Sequence, residues 1–472
     1  MKVRTRYAPS PTGYMHIGNL RTAIFEYLLA KKYNGDFILR IEDTDQERQV
    51  EGAIDFIYNT LDICGFKIDE GPNNEKGYGP YIQSERKDIY KEYALKLVEM
   101  GKAYYCFCSE EELANMRARA DERKKPFLYD GRCSRLSKEK IEENLKNGVP
   151  YVIRQKMPKT GETLVEDVIY GKIKIDNSIL DDQILLKSDG FPTYNFANVI
   201  DDHLMEITHV IRGKEYLDQT AKYNLLYEAF GWEKPTYIHV AMVLGEDGNK
   251  LSKRNGDASF MDLYNQGYLP SAVVNYLVLL GWSPENNQEI FTMEELIKNF
   301  NETRISKSSS QYDVKKLQWF NHHYINNMSD EDYLNWIKKY FKNDCTGKSE
   351  EWINRLLLIY KSHLNYGNEI NELTKKFFDT NFEIEPDAEE FMNSDPQTKE
   401  VVKVFKECIE NTTDWTVDTL ANVINEVKEK AGVKGKMLYM PIRIAASGIM
   451  HGPELADTLY LIGKDEILRR IK

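Results

Sequence analysis

The sequence predicts an α/β domain on a parallel sheet, interrupted by an α+β insertion and followed by all-α helical modules. Three observations carry this expectation. "KVRTRYA" alternates as a strand does, "HIGNLRTAIFEYLLAKKYNG" repeats apolar residues at helical spacing, and "DFILRIED" is again strand-like, which makes a β-α-β unit. The same texture returns after residue 192, where "ITHVIRG", "KEYLDQTAKYNLLYEAFGW" and "TYIHVAMVL" read as strand, helix and strand. Beyond residue 260 the period is almost wholly helical.

Taken in order, the first helix places Leu20, Ala23, Ile24, Tyr27 and Leu28 on one face and closes at Asn34-Gly35. After the second strand, Thr44 and Glu47 read as a capping box that opens the next helix. From 91 to 192 the text changes to charge-rich helix, the paired cysteines of "YYCFCSEEEL", and the hairpin-like "PYVIRQKMPKTGETLVEDVIYGKIKI". The best linkers are "NNMSDED" at Asn326 and the acidic, proline-containing "EIEPDAEEFMNSDPQ" at Glu383. No repeat or low-complexity tract is present.

Length and composition set wide bounds. At 472 residues the chain is long enough for roughly three domains. With 42% hydrophobic and 29% charged residues it has the balance of a globular protein. The longest apolar run, from Ala272, is about eleven residues, far short of a membrane span. No apolar signal region follows the start. The 6 cysteines include three scattered ones, Cys64, Cys345 and Cys408, and do not form a disulfide framework. A cytoplasmic protein with no membrane partner is expected. The net charge of −12 does not decide about a polyanion, because affinity comes from local basic patches. "RARADERKK" from Arg117, "VKEKAGVKGK" from Val427 and the terminal "RRIK" are such patches, or simply solvated helix faces.

Chemistry gathers at two places. His16 and Gly18 stand where the first strand gives way to a helix, a position at which unpaired N–H groups suit phosphate. Gly18 lets a phosphate approach the backbone, His16 adds a donor, and Pro9 and Pro11 stiffen the approach. An ordinary strand-to-helix turn with a surface histidine is the competing explanation. The second place is "GEDGNKLSKRNGDASF", a glycine-flanked loop bearing Lys250, Lys253 and Arg254. Alone it reads as a solvated turn. Together, a cationic loop and a histidine corner suit a nucleotide whose phosphates gain charge during transfer. No Gly-x-x-x-x-Gly-Lys-Ser/Thr and no Gly-x-Gly-x-x-Gly occurs.

"HIGN" at His16 and "KLSKR" at Lys250 resemble the two signatures of class I aminoacyl-tRNA synthetases. "RYAPSPTG", "RIEDTD", "SDGFPTYNFANVIDDH" and "THVIRGKEYL" are similar to bacterial-type glutamyl-tRNA synthetases in particular. The likeness covers about the first 330 residues and resumes at "LYMPIRIAASG". Asn19 stands in place of the second signature histidine. Leu251 and Arg254 alter the lysine loop, while Lys250 and Lys253 stay in register.

The resemblance implies a Rossmann-like catalytic domain over 1–90 and 193–255, and a tRNA acceptor-binding insertion over 91–192. It further implies a stem-contact helical domain over 256–326 and a helical anticodon-binding region over 327–472, with a sub-boundary near 380–396. The implied reaction is ATP-dependent attachment of glutamate to tRNA(Glu) through a glutamyl-adenylate that forms only with tRNA present. The implied substrates are L-glutamate and Mg²⁺-bound ATP, and a monomer is expected. Charging of tRNA(Gln) as well stays open.

His16, Lys250 and Lys253 are the implied catalytic residues, and with Gly18 and Asn19 they would bind ATP. Arg6, Ala8, Ser10, Tyr194, Asn198 and Arg212 are assigned to glutamate, with Glu42 receiving its ammonium. A glutamate site needs a guanidinium able to fork onto a carboxylate. The alternative for Arg6 and Arg212 is a structural ion pair with Glu42 or Asp43. Cys106, Cys108 and Cys133 match the first three positions of a zinc motif found in some glutamyl enzymes. Arg135 stands at the fourth and cannot ligate; Tyr129, four residues before Cys133, could supply a phenolate oxygen to Zn²⁺ instead. A shorter relative that glutamylates queuosine in tRNA would lack the helical text after Asn327. A non-catalytic RNA-binding paralogue would be expected to lose His16 or the lysine pair.

Overall fold

The computed structural model describes residues 2–13, 15–124, 126–249, 251, 259–379 and 381–471. They form two compact units, residues 1–262 with 273–313 and residues 263–272 with 314–472.

The first unit opens with the expected β-α-β. Strand β1 (Arg4–Tyr7) pairs in parallel with β2 (Asp36–Leu39), and helix α1 (Ile17–Lys32) connects them. Leu20, Ala23, Ile24 and Leu28 are fully buried. The helix ends where the sequence suggests: Asn34 takes φ 50, and the Gly35 N–H returns to the Ala30 carbonyl at 2.7 Å. Gly35 is required there, because a Cβ would lie 2.1 Å from the Val3 carbonyl oxygen. The Thr44–Glu47 capping box does not form. Gln46–Arg48 make one 3₁₀ turn with no side-chain cap, and α2 (Ala53–Ile63) starts only after Gly52 at φ 76.

The stretch 91–192 begins inside α3 (Lys87–Glu99), followed by β3 (Ala103–Cys106), α4 (Glu110–Glu122) and α5 (Lys138–Lys146). Next come β4 (Val152–Gln155), β5 (Glu162–Asp167), β6 (Gly171–Asp176) and β7 (Ile184–Leu186). Strands β3, β4 and β7 form their own antiparallel sheet. The hairpin-like text holds an antiparallel hairpin in its second half, β5–β6. Helix α6 (Tyr194–Leu204), strand β8 (His209–Gly213), helix α7 (Thr220–Phe230) and strand β9 (Thr236–Val240) restore the α/β pattern. The larger sheet has the order β6-β5-β9-β8, with β5 and β8 both parallel to β9. Strand β1 lies beside β8, tied to it by a bond from the Thr208 N–H to the Arg4 carbonyl at 3.0 Å.

The second unit is helical, and its described residues include two apolar cores. One surrounds Tyr333, Leu356, Leu357 and Leu364, the other Phe405, Leu420, Val427, Ile442 and Leu459. The acidic text at 383–397 is not an open linker throughout, since Pro386–Ser394 is a helix with Pro386 in its first turn. A proline there has no N–H to leave unpaired. No helix of the chain, among the described residues, is long and apolar enough to cross a membrane.

Charge, not only apolar packing, sets the centre of the first unit. Asp202 Oδ1 accepts from Arg6 Nε at 3.0 Å and from Arg40 Nη1 at 2.8 Å. Arg6 also meets Glu26 at 3.2 Å, and Arg40 meets Glu42 at 2.9 Å. Burial opposes the charge on Asp202, but the two guanidinium groups outweigh it and hold the carboxyl below its ordinary range. Breaking such a pair strands a buried charge. Asp202→Ala is therefore expected to cost about 3–5 kcal/mol, read as a lower urea midpoint at unchanged slope. A loss under about 1 kcal/mol, the worth of an exposed pair, would refute this.

Candidate active site

The C-terminal ends of parallel strands leave backbone groups and helix N-termini facing one crevice. In this chain a cavity of about 590 Å³ lies there. Strand β1 and its exit supply Arg6, Ala8 and Ser10, and the α1 corner supplies His16, Gly18 and Asn19. Glu42, Tyr194 and Arg212 complete the expected wall. Residues scattered over more than two hundred positions thus meet at one void. Asn198 is not on the wall. It is buried one turn further along α6, and its Nδ2 donates to the Tyr194 carbonyl at 2.8 Å. Lys250 and Lys253 lie outside the described residues; Leu251, between them, lines the cavity.

His16 is the N-cap of α1, with extended backbone at φ −69 and ψ 149 and no side-chain cap over the helix start. The first N–H groups of a helix have no partner within it and carry its positive end. They open onto the cavity beside Gly18, whose missing Cβ would meet nothing within 4 Å among the described residues. A ligand arriving in the cavity would notice a methyl group there.

The two arginines assigned to one ligand differ sharply. Arg6 is ion-paired, but to Asp202 and Glu26 and not to Glu42 or Asp43. Arg212 forms no ion pair among the described residues. Its Nε donates to His239 Nε2 at 3.2 Å and its Nη2 to Thr220 Oγ1 at 3.0 Å. Its guanidinium lies 4.5 Å from the centre of the Tyr223 ring, with Tyr216 and Tyr237 at 5.6 and 5.5 Å. At 5% exposure an unmatched cation is costly, a cost that an anionic ligand would offset. Glu42 Oε1 accepts from Arg40 Nη2 at 2.9 Å and Nε at 3.3 Å, while Oε2 accepts no bond among the described residues. Burial raises the Glu42 carboxyl above its usual range.

Sequence reasoning missed Glu26, Arg40, Asp202, Asp167 and His239. One signal was available: Tyr194, Asn198 and Asp202 recur at four-residue spacing and share a helix face. Nothing local marks the others.

A second cluster sits at the end of β3. Cys108 Sγ lies 3.6 Å from Cys133 Sγ, and the Tyr129 hydroxyl is 3.4 and 3.3 Å from the sulfurs of Cys106 and Cys108. The three sulfurs lie within 4.8 Å of one another. Hydrogen bonds from Cys133, and less strongly from Tyr129 and Arg154, pull the Cys106 thiol well below its ordinary value despite burial. Arg135 is exposed and only approaches the Asp130 carbonyl, at 3.5 Å.

Residues 2–319 match the family of class I tRNA synthetases for E and Q, catalytic domain, and residues 329–472 match an anticodon binding domain family. A glutamate–tRNA ligase of Clostridium novyi is 51% identical over the whole chain and 97% of its own length. That of Clostridium acetobutylicum is 49% identical over all of this chain and 98% of its own. The chain belongs to the glutamate–tRNA ligases. Among solved structures, a glutamate tRNA ligase from Elizabethkingia meningosepticum, in complex with its amino acid, superimposes with a TM-score of 0.91 at 37% identity. It covers 100% of this chain and 98% of that one. One from Elizabethkingia anophelis gives 0.90 at 36%, covering 100% and 99%.

In a ligase that consumes ATP, the open space at Gly18 has a measurable consequence. Gly18→Ala adds a methyl group in the first helical turn, which is expected to leave the melting temperature unchanged or raise it slightly. The KM for ATP is expected to rise about tenfold or more, equivalent to about 1.4 kcal/mol. An unaltered KM for ATP would mean that no phosphate approaches this corner.

Proposed function

We propose that the cavity holds glutamate against Arg212 and ATP against the α1 corner, and that the chain attaches glutamate to tRNA(Glu) in two steps. The observation that carries this reading is Arg212, a buried guanidinium on the cavity wall with neutral partners only. It wants a carboxylate, and its free edge suits the planar fork. Oε2 of Glu42, which accepts no bond among the described residues, is the acceptor offered to the substrate ammonium. Tyr194, Ala8 and Ser10 shape the wall between them.

In the first step the α-carboxylate of glutamate attacks the α-phosphorus of Mg²⁺-bound ATP in line, and pyrophosphate leaves. His16 and the N–H groups at Gly18 and Asn19 meet the phosphates, and Lys250 and Lys253 are assigned to the charge that builds on the departing pyrophosphate. In the second step the 3′-terminal ribose hydroxyl of the tRNA attacks the acyl carbon, and AMP leaves. No enzyme nucleophile is needed, because positioning and preorganised charge supply the catalysis. Residues 91–192 are proposed to meet the acceptor end of the tRNA, 256–326 its stem and 327–472 its anticodon.

We further propose that Cys106, Cys108, Tyr129 and Cys133 hold one zinc ion. Tetrahedral zinc with bonds of about 2.3 Å to sulfur and about 2.0 Å to oxygen sets S···S near 3.8 Å and S···O near 3.5 Å. The cluster's 3.6, 3.4 and 3.3 Å fit that frame. The ion would cross-link β3 to the loop before α5 and carry no chemistry of its own.

Two experiments test these readings. Arg212→Gln leaves a neutral group where an anion is expected, at a cost on the order of 2–5 kcal/mol in glutamate binding. The KM for glutamate should rise far more than that for ATP, and equal rises would identify a structural arginine. Metal analysis of the purified protein should find close to one zinc per chain, with chelation reducing charging activity. Protein from zinc-supplemented medium that contains none would end the zinc reading.

A further inference from the structure

Arg212 and His239 are direct partners across the parallel pair β8–β9, and Asp167 ends the next strand, β5. We propose that Asp167 and His239 are positioning residues that fix one edge of Arg212 and leave its charge and its other edge to a substrate carboxylate. This rests on the glutamate reading above and adds the device that makes Arg212 selective.

The argument runs outward from Asp167. Its Oδ1 accepts the Ile169 and Tyr170 N–H groups, each at 2.8 Å. Its Oδ2 accepts the His239 backbone N–H at 2.9 Å and faces His239 Nδ1 at 2.7 Å. A carboxylate so placed can only accept, so Nδ1 carries the proton. Fully buried His239 is held below its ordinary pKa, first by burial and further by the cation of Arg212, against the opposing pull of Asp167. The neutral ring with a proton on Nδ1 presents a bare Nε2, which accepts from Arg212 Nε. A proton on Nε2 could turn to Thr220 Oγ1 at 3.3 Å, but Arg212 Nε would then lose its acceptor.

Thr220 repeats the logic. Its hydroxyl donates to the Tyr216 carbonyl at 2.9 Å, which leaves a lone pair for Arg212 Nη2. Nε and one hydrogen of Nη2 are therefore occupied. Among the described residues nothing accepts from Nη1, which leaves an Nη1–Nη2 fork to a ligand in the cavity that Arg212 lines. Both anchors are neutral. A carboxylate in place of His239 would hold Arg212 equally well but neutralise it, as Asp202 and Glu26 do for Arg6. The Asp167 charge is kept one ring away, where it orients His239 without pairing to the guanidinium.

The test separates the acceptor at Nε2 from the bulk of the ring. Asn at position 239 keeps a donor toward Asp167 and loses the acceptor for Arg212; Gln reaches the Nε2 position with an amide oxygen. In tRNA-charging assays, His239→Asn is expected to raise the KM for glutamate about tenfold or more, with the KM for ATP within about twofold. His239→Gln is expected to recover most of that loss. Should His239→Asn prove inactive, His239→Gln decides alone: near-normal glutamate KM supports the proposal, and equal inactivity overturns it. Parallel rises in both KM values, or no rise for either variant, also overturn it. Arg212→Gln, measured alongside, tells the failures apart. If it leaves the glutamate KM unchanged, the site reading is wrong. If it raises that KM while His239→Asn does not, only the positioning role is wrong.

Discussion

The structure of the site hangs on one buried carboxylate. Asp202 is shared by Arg6 of β1 and Arg40 just past β2, so it pins the paired first strands to α6. An apolar contact at this point would resist separation but would tolerate sliding, since dispersion has little direction. A carboxylate between two guanidinium groups fixes distance and orientation together. Because Tyr194 lies two helical turns before Asp202 on the same face, fixing Asp202 also sets the position of the cavity wall.

Buried cations in this molecule fall into two classes. Arg4 is matched by Glu70 at 2.6 Å, Arg86 by Asp201 at 2.7 Å, and Arg6 and Arg40 by Asp202. Their charges are consumed within the fold. Arg21, Arg154 and Arg212 are the other kind, with no ion pair among the described residues. Arg21 donates to the Leu280 and Ala241 carbonyls and Arg154 to the Asp182 carbonyl. Arg212 is held by a histidine nitrogen, a threonine oxygen and tyrosine rings. Arg212 differs from Arg6 in the charge of its partners and not in its burial, at 5% and 4% exposure.

The stretch between residues 91 and 192 is tied into the larger sheet as well as carrying its own. Strand β5 runs parallel to β9, and Asp167 at its end reaches the His239 that braces Arg212. The same stretch carries the thiol cluster, where Arg154 lies 4.2 Å over the Tyr129 ring and supports the thiolate form of Cys106. A segment whose texture differs from its surroundings therefore contributes directly to the cavity's electrostatics.

Much of this was legible beforehand. The β-α-β opening, the end of α1 at Asn34-Gly35 and the strands 209–213 and 236–240 follow from local periodicity and turn chemistry, which act within a few residues. Local rules failed where a neighbour from elsewhere competed. Asp43, for example, accepts from the Ser84 N–H at 2.7 Å, and the turn at 44–48 takes its shape without the Thr44 cap. The acidic stretch after Glu383 became a helix despite its linker-like composition. The sequence by itself determined which residue types stand at the strand ends and helix corner, and therefore that an anion-binding crevice could be built. Only the tertiary structure decided which arginine is neutralised. Arg6 and Asp202 are 196 residues apart and Arg40 and Asp202 are 162 apart, and no local pattern encodes a pairing that chain folding alone brings within 3 Å.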